Sequence, residues 1–396
     1  MTKPLEGIRV LDCSTLLPGP YCTMMLRAMG AEVIKVEPPG NGDFLRKMLP
    51  ECFAFLNRGK RSIVLNLKSS EGREVIARLA KTADVIIEGF RPGVAERLGI
   101  NFEVLRSVNP NIIYVSISGY GQTGPYAGHP GHDIDYQAIS GLVSVTGDPE
   151  QSCGAPAGFQ ASDIAGGIFA LISILAALLA RKIKPSNNDE GTYLDVSMTD
   201  GLITWMLPRI IEYFAQGAPS RSDFMARGPY GIFTAKDGRH LALGVVEEHF
   251  WERLCQAMGF ADLLEDPELQ TWKGRNRNHR RIVPRLREVL LTRDRDEWLN
   301  LFREADIPAS CVNEIKDMLT DPQIRHRRIL GVDENGQFSP ELTCPFPVPT
   351  LTESLAQHLP PELGEDTASV LESLGFSEGE IRQMQNTSAA LLGRKN

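Results

Sequence analysis

The chain of 396 residues lacks any Cys-x-x-Cys pair. Its seven cysteines (Cys13, Cys22, Cys52, Cys153, Cys255, Cys311 and Cys344) are odd in number and widely spaced, which argues against zinc and dithiol frameworks. The first residues, Met-Thr-Lys-Pro-Leu-Glu, carry no apolar signal region. Free thiols without a signal fit a reducing cytoplasm. A basic excess is also missing. There are 42 Lys and Arg against 50 Asp and Glu, a net charge of −8, so nothing suggests the basic face of a nucleic-acid binder. An anionic ligand would need a local basic patch. Neither a P-loop nor a GxGxxG fingerprint is read in the chain, so nucleotide hydrolysis and a nicotinamide site are poorly supported. The longest apolar run, Ile164 to Ala180, would be about 25 Å long as a helix, slightly short of a bilayer core. Gly166, Gly167 and several alanines suit close packing, and the run reads as a buried helix rather than a membrane span.

What is present is alternation. Ile8–Asp12 reads as a strand, Pro18-Gly19-Pro20 as a break, Tyr21–Met29 as a helix stopped by Gly30, and Ala31–Glu37 as the next strand. Ser62–Leu67, Ala83–Glu88 and Asn111–Ser118 are further strands, with a helix over Ser70–Thr82. This predicts an α/β fold with a parallel sheet. Lys182–Gly191 reads as a turn, Thr192–Val196 as a strand, Met198–Gln216 as a long helix and Ala218–Gly228 as a loop. Ile232–Thr234 and Leu241–Val245 flank Lys236-Asp237-Gly238, a hairpin. Three helical stretches follow to about Arg303. Gly331–Pro349 is strand-like and proline-rich, and a last helix begins near Asp366. The expected parts are residues 1–200 as a large domain, 201–224 as a linker helix and loop, 225–325 as a small domain and 326–396 as a carboxyl-terminal segment.

Three groups of residues carry candidate chemistry. Asp163 stands where the apolar helix opens. An Asp there is first of all an N-cap, yet the apolar helix behind it places the carboxylate at the rim of a buried region. Gly166 and Gly167 allow another chain or a ligand to approach closely. His132, in Gly131-His132-Asp133, follows a glycine-rich loop after a strand, where ligands gather in open α/β sheets. It would be a proton shuttle only if oriented and tuned, and Glu247 is a possible partner beside the plainer surface charge Glu248. Arg58, Lys60 and Arg61 precede one strand, and Gly89-Phe90-Arg91 follows another, with Arg97 beyond. Such cations beside an apolar slot offered by Phe90 or Tyr126 suit the phosphates and adenine of coenzyme A, although each arginine alone reads as solvated surface.

Taken together, these segments resemble the class III CoA-transferase family, which includes formyl-CoA and carnitine CoA-transferases and 2-methylacyl-CoA racemases. The likeness runs through Leu5-Glu-Gly-Ile-Arg-Val-Leu-Asp12, Gly30-Ala-Glu-Val-Ile-Lys-Val-Glu37, Gly59–Ser62, Ala83-Asp84-Val85 and Arg91-Pro92-Gly93. It continues through Asp195–Gly201, Asp237-Gly238 and Ile307-Pro308. The resemblance implies a Rossmann-like large domain built from both chain ends, a smaller middle domain and an interlocked homodimer. It implies no permanently bound cofactor, with coenzyme A arriving as part of the thioester substrate, and no metal, nucleic-acid or membrane partner. It makes Asp163 the essential aspartate. It sets Leu16, Leu17, Arg58, Lys60, Arg61, Gly89, Phe90, Arg91, Arg97 and Tyr126 as coenzyme contacts.

Within the family, Asp163 and His132 match the two proton-transfer groups of the racemases and Glu247 matches the glutamate that partners the histidine, and no glycine run occurs between Ala218 and Gly231 as in formyl-CoA transferases. The expectation is therefore 1,1-proton transfer at the α-carbon of a 2-methylacyl-CoA. The alternative is a CoA-transferase working through an aspartyl anhydride. It is favoured by Asp163-Ile-Ala-Gly-Gly, by Glu248-His249 after Glu247, and by Ile307-Pro308-Ala-Ser-Cys311 and Asp321-Pro322-Gln323.

Overall fold

Six apolar segments run parallel in the first sheet of the computed structural model: β1 (Arg9–Cys13), β2 (Glu32–Glu37), β3 (Arg61–Leu65), β4 (Val85–Glu88), β5 (Ile113–Ser118) and β6 (Thr192–Ser197). The structure describes residues 3–149, 151–183, 191–340, 343, 358–391 and 393. The sheet order is β3-β2-β1-β4-β5-β6, and a short strand, Ala390–Leu391, pairs antiparallel with β3. Helices cover both faces, so the strands are nearly continuous apolar runs. Val10, Val33, Val85 and Ile87 pack on one face with Cys22, Leu26, Ala170 and Ile174. Leu11, Ile34, Ile63 and Ile86 pack on the other with Val75, Leu79, Val370 and Ile381.

β1 lies between β2 and β4. The chain therefore turns one way from β1 to β2 and the other way from β1 to β4. The crevice beyond the carboxyl ends of β1 and β4 is the topological switch point, where open α/β sheets hold ligands. Gly119-x-Gly121-x-x-Gly124 does spell a dinucleotide fingerprint, but it follows β5 and opens no helix.

The first compact unit comprises 1–143, 156–208 and 322–396; the second comprises 144–155 and 209–321. The longer segment of the second unit starts at Arg209, within the helix Met198–Ala215, whereas the small domain expected from sequence starts at 225. It carries an antiparallel sheet of β7 (Tyr230–Thr234), β8 (His240–Gly244) and β9 (Ala309–Cys311). Phe233, Leu241, Trp251, Leu254, Leu286 and Phe302 form its core. Five helices, not three, lie between Glu248 and Glu304, because short ones over Ala261–Glu265 and Trp272–Arg277 join the longer three. Arg221, from a short helix (Arg221–Met225) inside the expected loop, donates to the carbonyls of Ser144, Thr146, Asp148, Pro149 and Gln151. That explains why 144–155 goes with this unit.

The first helix spans Pro18–Ala28, so Pro-Gly-Pro opens it instead of breaking before it. A proline in the first turn loses no hydrogen bond there. Helix Thr367–Ser373 follows Asp366, where a helix was expected, but it is not the last, because Glu378–Asn386 forms another; Asp366 accepts the Ser62 N–H at 2.9 Å. Of the turn expected over Lys182–Gly191, Lys182 still belongs to the helix Ala161–Ile183, while residues 184–190 and most of the proline-rich stretch after 340 lie outside the described residues.

By length and composition, the helix Ala161–Ile183 could cross a membrane. Its contacts with the first helix, β5 and β6 are those of a core helix. Gly167 faces the Pro18 carbonyl and Gly166 faces Met198, where a Cβ would come within 2.7 and 2.6 Å. The paired glycines thus serve packing within the chain.

Candidate active site

The switch point is occupied by a cleft of about 470 Å³. The loop after β1 gives it Ser14, Thr15 and Leu16. The loop after β4 gives Gly89, Phe90 and Arg91, and the end of β5 gives Ile117 to Tyr120. His129, His132, Tyr136, Asp163 and Met198 are also among the lining residues. Six of the residues expected from sequence therefore share one cleft: Asp163, His132, Leu16, Gly89, Phe90 and Arg91.

His132 sits at the amino end of the helix Asp133–Ile139, where its N–H donates to the Asp135 carboxylate at 2.9 Å. Tyr136 lies beneath it, donating its hydroxyl to the Gly131 carbonyl at 2.6 Å. Gly119 is required there, since a Cβ would lie 2.3 Å from the tyrosine ring. Asp163 is not the cap expected of it. Its helix starts at Ala161, and the free Ser162 N–H goes to Asp133 Oδ1 at 2.8 Å, as does the Ser162 hydroxyl at 2.6 Å. Asp133 Oδ2 accepts from Gln137 at 2.6 Å. Asp133 therefore ties the beginning of the His132 helix to the beginning of the Asp163 helix.

Relieved of capping, the Asp163 carboxylate accepts no hydrogen bond from a described residue. Burial pushes it up to about 7, and the negative charge of Asp133 adds to the effect. A carboxylate tuned this way is about half ionised at neutral pH, and its ionised form is desolvated and more basic than an ordinary carboxylate, which suits attack or proton abstraction. The sign for stability follows. The folded state holds the Asp163 proton to a higher pH than the unfolded chain does, so stability falls as pH rises from about 3.8 to about 7 and then levels. Asp163→Asn lacks this loss. Its urea midpoint, measured from pH 4 to 8, should gain steadily on wild type up to about pH 7, and a constant difference would contradict the shift.

The remaining expected contacts lie elsewhere. Lys60 is buried, its ammonium bound to Asp12 at 3.2 Å, Thr23 at 2.7 Å, Asn57 at 2.9 Å and the Pro20 carbonyl at 3.1 Å. It is a core cation, not a surface one. Arg58 is also buried, lying over Phe55 and donating to the Thr343 carbonyl. Arg61 pairs with Glu32 and Asp366. Leu17 precedes the first helix and packs on the core. Arg97 lies beside Gly93, and Tyr126, outside the lining, packs at tilted angles against Tyr120 and His129. Arg91 alone of these cations lines the cleft, exposed and, among the described residues, without an ion pair. Glu247 is exposed at the start of the helix Glu248–Met258 in the second unit.

Sequence reading missed Asp133, Ser14 and Glu88. Buried Glu88, at the end of β4, accepts the Phe90 N–H at 2.6 Å and so shapes the loop carrying Arg91. A polar residue ending an apolar strand is the signal that marks it.

A model of CoA-transferase family III matches residues 5–367. Acetyl-CoA:oxalate CoA-transferase of Acetobacter aceti is 36% identical over 83% of this chain and 85% of that protein. Succinate–glutarate CoA-transferase of Agrobacterium fabrum is 34% identical over 94% and 96%. The crystal structure of a CAIB/BAIF family protein from Brucella suis superposes with a TM-score of 0.78 at 30% identity, covering 94% of this chain and all of that one.

Proposed function

From the premise that this chain belongs to CoA-transferase family III, we propose that it moves coenzyme A between carboxylic acids, with Asp163 as the nucleophile. The observation that carries this is an Asp163 carboxylate free of described hydrogen-bond donors and raised to about 7, in the switch-point cleft. Its oxygen attacks the thioester carbonyl and expels CoA thiolate, leaving a mixed anhydride. The thiolate then attacks the Asp163 carbonyl, releasing the first acid and forming an aspartyl thioester. The acceptor carboxylate attacks that thioester, giving a second anhydride and freeing the thiolate again. Attack of the thiolate on the new acyl carbon yields the new CoA ester and restores the carboxylate. Arg91 would meet the coenzyme's phosphates or an acceptor carboxylate, with Leu16 and Phe90 as apolar contacts. The relatives named above act on oxalate, succinate and glutarate, so small dicarboxylic acids are the acceptors to try first. Hydroxylamine added during turnover should leave a hydroxamate on the Asp163 peptide, read by mass; turnover with an unlabelled peptide would sink the reading.

A second reading is α-proton exchange on a 2-methylacyl-CoA, favoured by His132 lining the same cleft. It predicts deuterium at the α-carbon in D₂O without any acceptor acid. We also propose a homodimer of the interlocked kind. Support comes from apolar side chains left exposed on one helix, Ile172, Leu179 and Ile183, and on the next, Leu207, Ile211 and Phe214. A monomer in sedimentation would remove it.

A further inference from the structure

The loop after β1 holds a non-glycine residue in the left-handed region: Leu16 has φ +63°. An L side chain with a Cβ rarely adopts this conformation, and it persists only when the surroundings enforce it. Here the enforcement is electrostatic. The Leu16 N–H donates to Asp43 Oδ1 at 3.2 Å, and the Leu45 N–H donates to the same oxygen at 3.0 Å. Asp43 Oδ2 pairs with the Lys35 ammonium at 2.9 Å, both side chains being wholly buried. That ammonium also donates to the Ser14 carbonyl at 3.0 Å. At the other end of the loop, the Ser14 N–H donates to Asp12 Oδ1 at 3.1 Å, and the Ser14 hydroxyl binds the same oxygen. Ser14, Thr15 and Leu16 are thus gripped from beneath by buried charges, while their other side lines the cleft that holds Asp163.

Buried ion pairs add little stability over apolar residues of the same volume. A charged clamp under a strained loop at the cleft wall is better suited to fixing geometry. We infer that Asp43 and Lys35 are positioning residues that hold the Ser14–Leu16 loop in its left-handed shape, presenting a preformed wall to the acyl-CoA. Without the clamp, Leu16 relaxes to negative φ and the wall moves. The inference rests on the CoA-transferase reading for its activity readout, but not for its binding readout.

The test is a cycle of Asp43→Asn, Leu16→Gly and the double variant, with Leu16→Val as a further variant that leaves the buried charges untouched. Steady-state transfer and acyl-CoA affinity by calorimetry are measured on each, with urea midpoints alongside. Asp43→Asn should lower kcat/KM at least tenfold and weaken acyl-CoA binding. In the Leu16→Gly background, where positive φ carries no penalty, the same change should alter kcat/KM less than about twofold. Leu16→Val, which resists positive φ more than leucine does, should weaken binding tenfold and lower the urea midpoint while unfolding stays cooperative. Equal effects of Asp43→Asn in both backgrounds, or wild-type binding by Leu16→Val, would overturn the inference. If wild type transfers no CoA to any acid, the functional reading fails instead, and the binding cycle still decides the clamp.

Discussion

Asp163→Asn should lower CoA transfer by at least about 10⁴-fold, the scale of removing a nucleophile, while leaving a folded protein. The amide is nearly isosteric but has no carboxylate to form an anhydride. Nothing described donates to the Asp163 carboxylate, so the substitution breaks no hydrogen bond among the described residues. The Asp133 bridge to Ser162 stays in place. The variant should therefore still bind acyl-CoA, and the loss should fall on kcat. The check is steady-state transfer from an acyl-CoA to a dicarboxylic acid, together with calorimetric binding. Transfer within tenfold of wild type would take the nucleophile's role from Asp163. His132→Ala separates the two readings: transfer should survive it, whereas proton exchange should not.

The second large effect falls on stability. Lys60→Ala should cost about 3–5 kcal/mol, because it strips a buried carboxylate of one of its two cations. Asp12 is wholly buried with Lys35 and Lys60 near it. Burial pushes its pKa up, but the two ammoniums and the hydrogen bonds from the Ser14 and Thr23 hydroxyls together outweigh that and hold it at about 2. Removing one also leaves Thr23, Asn57 and the Pro20 carbonyl without their shared donor. Urea unfolding at pH 7 measures the cost, and a value under about 1 kcal/mol would show that the ammonium is not committed to the core. The sign with pH is opposite to that of Asp163. The folded value of Asp12 lies below its unfolded one, so its contribution is present above about pH 3.8 and is lost as pH falls toward 2.

The sequence by itself determined the six parallel strands, the hairpin and the family. Strand runs such as Ile113–Ser118 and the hairpin about Asp237-Gly238 are set by local periodicity and turn chemistry, which a linear pattern records. Asp163 was legible as a carboxylate at the start of a long apolar helix, and the family resemblance, not the local pattern, marked it as the essential aspartate. The tertiary structure decided which charges face the cleft. Lys60 and Arg91 look alike in sequence, each a cation beside a strand. Lys60 turns inward because Asp12, 48 positions earlier, lies in the adjoining interior. Arg91 lines the cleft because β4 lies beside β1, where the sheet order reverses. The state of Asp163 was decided in the same way. Asp133, thirty positions upstream, takes over the capping of its helix and adds to its raised pKa. Burial and long-range pairing set these outcomes, and neither leaves a local mark in the chain.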